Sequence, residues 1–209
     1  MNPSRPKLRI VVAGATGQVG GELVTQLVEL GHEPKLLVRR SSGLEGAVDV
    51  HFDYEAPDAA ERVPDADVLF CALGTTRKKA GSDAAFVRVD RDYPLLLLRA
   101  CQRMSPKPTF ALVSSVGAER AAGLYLRTKH ELEQEVFASG IPYVVARPSI
   151  LLGEREESRP GESVGQVVLG PLLRGLGAIL PSARRYAPIS GAQVARALCP
   201  GPRGRASQG

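Results

Sequence analysis

An α/β fold, one doubly wound parallel sheet with helices on both faces, is the architecture this sequence predicts. An apolar run, Leu8 to Ala13, breaks into the glycine-spaced turn Gly14-Ala15-Thr16-Gly17-Gln18-Val19-Gly20. Apolar residues then recur at helical spacing, Leu23, Val24, Leu27, Val28 and Leu30, and a strand, Lys35 to Val38, completes a βαβ unit. Beyond it, short apolar runs keep alternating with helical stretches, which places the strands parallel in one covered sheet.

The elements follow in order. Gly31 stands where a helix ends in a left-handed glycine. A short strand is expected over 48–52, followed by a loop holding Asp53. Asp67 to Leu73 reads as a fourth strand ending in Gly74-Thr75-Thr76. A helix is expected from about Ser82 to Met104, bent before Pro94. Thr109 to Ser114 is a fifth strand, Leu124 to Ala138 a helix closed by Gly140, and Tyr143 to Arg147 a sixth strand. The arrangement is Rossmann-type: a single domain over 8–198 with a minimal C-terminal substrate region, an N-terminal extension over 1–7, and a tail over 199–209. That tail has almost nothing to bury, so disorder is expected there.

Composition narrows the function. A chain of 209 residues, 44% hydrophobic, suits one sizeable core. Cys71, Cys101 and Cys199 have no metal spacing, and Cys71 reads as a buried, reduced filler. His32, His51 and His130 are isolated, so no metal site is expected. The N-terminus lacks a signal-peptide pattern. The apolar stretch Val164 to Leu180 is interrupted by Gly165, Gly170, Pro171, Arg174, Gly175 and Gly177, which argues against a membrane span and leaves room for a subunit contact. The expectation is a soluble, cytoplasmic protein, monomer or homodimer. Net charge is +5, but the basic residues are dispersed and aromatics few, so nucleic acid is not expected as a partner; a small-molecule substrate is.

The glycine loop has a chemical purpose. Gly14 makes the tight turn off the strand, Gly17 lets backbone approach a phosphate, and Gly20 lets the helix pack closely. The helix N-terminus then offers N–H groups and a positive dipole end to a pyrophosphate. About 20 residues on, an acidic residue would bind the ribose 2′-OH of NAD. Arg39-Arg40 stands there instead, pointing to the 2′-phosphate of NADP(H), with NAD(H) the lesser expectation. The alternative is a solvated basic turn. Arg77-Lys78-Lys79 reads as a solvated loop, the alternative being a clamp over phosphates, and Glu154 to Glu157 as a solvated loop whose place after the sixth strand leaves a role at the substrate mouth open.

On the helix from Leu124, Tyr125 and Lys129 are four apart and share a face, which Leu132 and Val136 continue as a core stripe. Arg127, His130, Glu131, Glu133 and Gln134 fall mostly on other faces. A lysine at the head of a core stripe needs a partner; the bland alternative is that Lys129 snorkels to the surface and Tyr125 is a half-buried anchor. An ammonium beside a phenol stabilises the phenolate, so the pair suits proton exchange. Ser115, with Ser114 as second choice, would bind a substrate oxygen where charge develops. An ordinary strand-end hydrogen bond is the rival reading for either serine.

These residues resemble the short-chain dehydrogenase/reductase superfamily: G-x-x-G-x-x-G, a serine after the fifth strand, then Tyr125-x-x-x-Lys129. More specifically, the chain is similar to the atypical branch containing the Tat-interacting-protein oxidoreductases and their bacterial relatives. Leu73 to Gly81, Phe86 to Tyr93, Ser114-Ser115, Arg147-Pro148 and Glu157-Ser158-Arg159-Pro160-Gly161-Glu162 carry the resemblance. It implies an NADP(H) site in which Gly14, Thr16, Gly17, Gln18, Val19, Gly20, Arg39 and Arg40 hold the adenosine diphosphate half. Asp53 would lie near the adenine, with Leu73, Gly74 and Thr75 along the middle. Tyr125, Lys129, Pro148 and Ile150 would meet the nicotinamide ribose and ring. The helix begun at Ser190 departs from the family pattern by running into Pro200-Gly201-Pro202.

The expected activity is NADP(H)-dependent oxidoreduction of a small carbonyl or alcohol through Ser115, Tyr125 and Lys129. A non-catalytic NADPH-binding sensor and a nucleotide-sugar epimerase or dehydratase are the alternatives, the last lacking its usual C-terminal substrate domain.

Overall fold

The computed structural model describes residues 8–148, 151–152 and 189–190. Six parallel strands form one sheet: β1 (Ile10–Ala13), β2 (Lys35–Val38), β3 (Val48–His51), β4 (Val68–Cys71), β5 (Thr109–Val113) and β6 (Tyr143–Ala146). Their spatial order is β3-β2-β1-β4-β5-β6. The winding therefore reverses between β1 and β4, whose last residues, Ala13 and Cys71, are register partners. A crevice opens outside the carboxyl ends of strands at such a reversal, and ligands bind there in open α/β sheets.

Side chains alternate across the sheet, so each face builds its own core. Val11, Ala13, Leu69, Cys71, Phe110 and Leu112 pack with Leu97 and Cys101 of α4 (Tyr93–Arg103) and Leu132 and Val136 of α5 (Gly123–Ala138). Ile10, Val12, Leu36, Val38, Phe70 and Ala111 pack with Val19, Leu23, Val24 and Leu27 of α1 (Gln18–Glu29). Because both faces are covered, the central strands are continuous apolar runs, which is why they stand out in the sequence.

Local signals place the ends of the elements. Gly31 has φ +83°, and the N–H groups of Gly31 and His32 donate to the carbonyls of Val28 and Leu27, closing α1 in a Schellman motif. Ser82 caps α3 (Asp83–Val87) by accepting from the Ala85 N–H. The long helix expected over 82–104 with a bend before Pro94 is present as continuous helical chain over 83–103. A π-helical turn over Arg88–Asp92 joins α3 to α4, just ahead of Pro94. The basic segment Arg77 to Ala80 forms a short helix, α2, rather than a loop. Thr76 caps it and Arg77, Lys78 and Lys79 are exposed, in line with the solvated reading.

No helix links β2 to β3. The connecting loop instead folds back on α1: a Cβ at Gly46 would fall 2.5 Å from Val28 Cγ1. One further pairing was not foreseen, β7 (Leu151–Leu152) against β8 (Ile189–Ser190). Ser190 thus ends a strand, and the helix expected to begin there lies outside the described residues. So do the tail from Cys199, residues 1–7, Ile150, Val164 to Leu180 and Glu157 to Glu162.

Candidate cofactor and catalytic site

The β1–α1 turn shows what each glycine is for. Gly14 has φ +85°, and a Cβ there would meet the Ala72 carbonyl oxygen at 2.5 Å. At Gly20 a Cβ would lie 2.1 Å from the Gly14 carbonyl oxygen, so α1 seats directly on the turn it leaves. The fold itself therefore demands these two. Gly17 differs: it is extended, and a Cβ there would reach only the Gly14 carbonyl oxygen, at 3.3 Å. That mild contact leaves the approach of a ligand as the stronger reason for a glycine. Gly17 is also the N-cap of α1 and brings no side chain to the cap, and no acidic residue occupies the first turn. A cradle without side chains at a positive helix end fits a pyrophosphate. Thr16 is exposed beside it and Gln18 half-buried. Val19 has its side chain in the core, so a ligand would meet only its backbone.

Arg39 and Arg40 follow β2 directly and are exposed. Asp53 follows β3 and turns its carboxylate inward to its own loop, accepting from the Glu55 N–H at 2.9 Å. Beside it, Tyr54 is buried and stacks on Tyr93 with ring centroids 4.7 Å apart. The Tyr93 hydroxyl donates to Glu55, and burial with that carboxylate pushes its phenol up to about 12.

The centre of the site is a buried ion pair. Lys129 Nζ lies 2.9 Å from Asp90 Oδ1, with the two side chains 4% and 1% exposed. The other oxygen of Asp90 accepts the Thr75 N–H at 2.8 Å. One carboxylate thus joins α5 to the Leu73-Gly74-Thr75 segment at the end of β4. A Cβ on Gly74 would come within 3.5 Å of Asp90 Oδ1. The lysine neither snorkels nor stands unpartnered. Burial raises the nearby Cys71 thiol to about 11, which keeps it protonated and agrees with its reading as an inert filler.

Asp90 was not singled out from the sequence, although a signal existed. Phe86, Asp90, Pro94, Leu97 and Cys101 recur at steps of three and four and are all buried. An acid on one apolar stripe and a lysine on another are candidates for each other. The π-helical turn that holds Asp90 is a feature common at functional sites.

The α5 stripe needs two corrections. Tyr125 is not a core residue: it is 43% exposed, at the first turn of the helix, with the Phe86 ring 6.1 Å away. Glu133, placed on an outer face by spacing alone, is buried at 1%. Its carboxylate accepts from Arg147 Nε and Nη2 at 2.9 and 2.7 Å, a two-pronged pair that ties α5 to the end of β6. The stripe is broader than one line of residues because Arg147, at the end of β6, supplies a partner for Glu133 as well.

The two serines differ. Ser114 Oγ is fully enclosed and has no hydrogen-bond partner among the described residues. Ser115 Oγ donates to the Val116 carbonyl at 3.3 Å, a long contact. Pro148 is buried opposite, its carbonyl accepting the Val116 N–H. No group of three or more metal-ligating side chains occurs among the described residues, and no helix there is long and apolar enough to cross a membrane.

The NAD(P)H-binding family profile matches residues 14–168. This chain is a member of that family. It is 36% identical over 173 residues to Protein HTATIP2 of Rattus norvegicus, covering 78% of this chain and 71% of that one. It is 31% identical to Protein fmp52, mitochondrial, of Emericella nidulans, over 78% of this chain and 75% of the relative. These relatives place it in the atypical short-chain dehydrogenase/reductase branch that its motifs resemble. Among solved structures, a putative NAD-dependent epimerase/dehydratase from Bacillus halodurans matches with TM-score 0.60 and 27% identity, over 71% of this chain and 73% of that one. UDP-glucose 4-epimerase from Thermotoga maritima matches with TM-score 0.63 at 20% identity, over 80% of this chain and 63% of the enzyme, a likeness of fold. In this NAD(P)H-binding chain, the family match and the glycine cradle meet at the same strand reversal.

Proposed function

We propose that the protein is an NADP(H)-dependent oxidoreductase acting on a small carbonyl or alcohol. The observation that carries this reading is the Thr75–Asp90–Lys129 chain, which binds the helix of Tyr125 to the loop beside the glycine cradle. Gly14, Gly17 and Gly20 would admit the pyrophosphate, and Arg39 and Arg40 the 2′-phosphate. When bound, the nicotinamide supplies or accepts a hydride. Tyr125, exposed at the first turn of α5, would give a proton to the carbonyl oxygen as it gains charge. Ser115 would turn its hydroxyl from the Val116 carbonyl to that same oxygen; Ser114 is too enclosed to do so. Lys129 keeps two N–H donors beyond its bond to Asp90, enough for a ribose hydroxyl and the Tyr125 phenol.

Calorimetric titration of the purified chain with NADPH and NADH, followed by a carbonyl panel with NADPH, tests the reading. Absence of NADPH binding at millimolar cofactor would sink it. A second reading, a cofactor-binding protein without turnover, draws on one observation. Asp90 already neutralises the Lys129 ammonium, which weakens its field at Tyr125. NADPH binding with no turnover across the panel favours that reading.

A further inference from the structure

Resting on the NADP(H) reading above, we propose that Asp49 is a positioning residue for cofactor choice. It clasps the chain directly behind Arg39 and Arg40 and so holds their guanidinium groups ready for a 2′-phosphate.

Asp49 lies on β3, in register with Leu36 of β2. Its Oδ2 accepts the Ser42 N–H at 2.8 Å and the Ser41 hydroxyl at 3.1 Å, while Oδ1 accepts the Ser42 hydroxyl at 2.7 Å. The Ser42 oxygen in turn accepts the Leu44 N–H at 3.1 Å. These bonds, chiefly those from Ser42, hold the Asp49 carboxyl below the usual carboxylate range, so it stays charged and its bonds stay charge-assisted. The far end of the loop is pinned as well, since Gly46 at φ +75° is pressed against Val28 of α1.

The clasp solves a particular problem. No helix follows β2 before β3, so the segment after Val38 has no helix to brace it. Arg39 and Arg40 are exposed and form no ion pair among the described residues, so no counter-ion holds their guanidinium groups in place. A loop ordered in advance does not lose its freedom again when the cofactor binds. The acid itself does not repel the phosphate strongly, because its oxygens face three donors of the β2–β3 loop. NADH has no 2′-phosphate and does not need the two arginines, so the clasp should matter for one cofactor and not the other.

The test is calorimetric titration of the full chain with NADPH and, separately, NADH, for wild type, Asp49→Ala and Ser42→Ala. Asp49→Ala should weaken NADPH about tenfold, roughly the freedom of one loop residue regained, and leave NADH within about twofold. Ser42→Ala keeps the backbone bond to Asp49 and should show a smaller loss in the same direction. Should Asp49→Ala fail to fold, Ser42→Ala alone decides. An unchanged NADPH-to-NADH affinity ratio in a folded variant overturns the role of Asp49. If wild type itself shows no preference for NADPH, the NADP(H) reading falls and this inference with it; that failure shows in the wild type, not the variant.

Discussion

Removing the Asp90 carboxylate should be among the most destabilising single changes in the described core. In Asp90→Ala the Lys129 ammonium, 4% exposed, loses its counter-ion. Breaking a buried pair in this way costs about 3–5 kcal/mol. The Thr75 N–H also loses its acceptor, but that loop is only partly buried, so about 1 kcal/mol is appropriate. A total near 5 kcal/mol is a large part of a typical domain's stability, about 5–15 kcal/mol. Asp90→Asn keeps an oxygen for one of the two donors and should lose about 3 kcal/mol instead. Urea unfolding followed by circular dichroism reads both. With an m-value of about 2.5 kcal/mol/M, the midpoint falls by about 2 M for alanine and about 1.2 M for asparagine. The double change Asp90→Leu with Lys129→Met removes both charges together and should recover most of the loss, since well-packed apolar replacements of a buried pair are often neutral. An Asp90→Ala midpoint within about 0.2 M of wild type would refute the reasoning, for it would mean that water or another group already satisfies Lys129.

Tyr125→Phe should reduce carbonyl turnover by about a hundredfold or more while leaving NADPH affinity within about twofold. Steady-state rates with a calorimetric Kd check it, and unchanged turnover removes Tyr125 from the mechanism. Gly20→Ala puts a methyl 2.1 Å from a backbone oxygen, so α1 must shift from the turn. A thermal melt should show a loss of about 1–3 kcal/mol, and NADPH binding should weaken with the displaced helix end. The Arg9 guanidinium and N–H hold the Asp67 carboxyl below its ordinary 3.8. Since the folded value is the lower one, this contribution is complete above about 4 and fades as pH falls through the folded value. Urea midpoints measured from pH 6 down to pH 2 should therefore drop less for Asp67→Asn than for wild type.

Much of the fold was legible because it is written in neighbouring residues. Gly14 and Gly20 mark a turn that only they can make, and Gly31 and Ser82 end or begin helices through bonds to residues close in sequence. The central strands were equally plain, being apolar without interruption. The candidate site was legible in outline: the glycine loop, the Leu73 to Thr75 segment, Ser114-Ser115 and Lys129 fall where strands β1, β4 and β5 end or on the helix beside them. Ile150, expected at the nicotinamide, lies outside the described residues.

What the sequence determined by itself is the chain's alternation of strand and helix and a glycine cradle suited to a dinucleotide. Both depend on local backbone sterics and on the period of apolar residues, which a single stretch of chain reveals. What only the tertiary structure decided is which charges meet. Asp90 finds Lys129, Glu133 finds Arg147, and Asp49 finds Ser41 and Ser42, each across separate elements or a folded-back loop. Tyr125 likewise proved to be exposed rather than in the core, because helix periodicity says which residues share a face but not how far along that face the neighbouring elements reach. An ionic side chain on an apolar stripe announces that it must have a partner, since its burial alone is too costly. Naming that partner requires the fold.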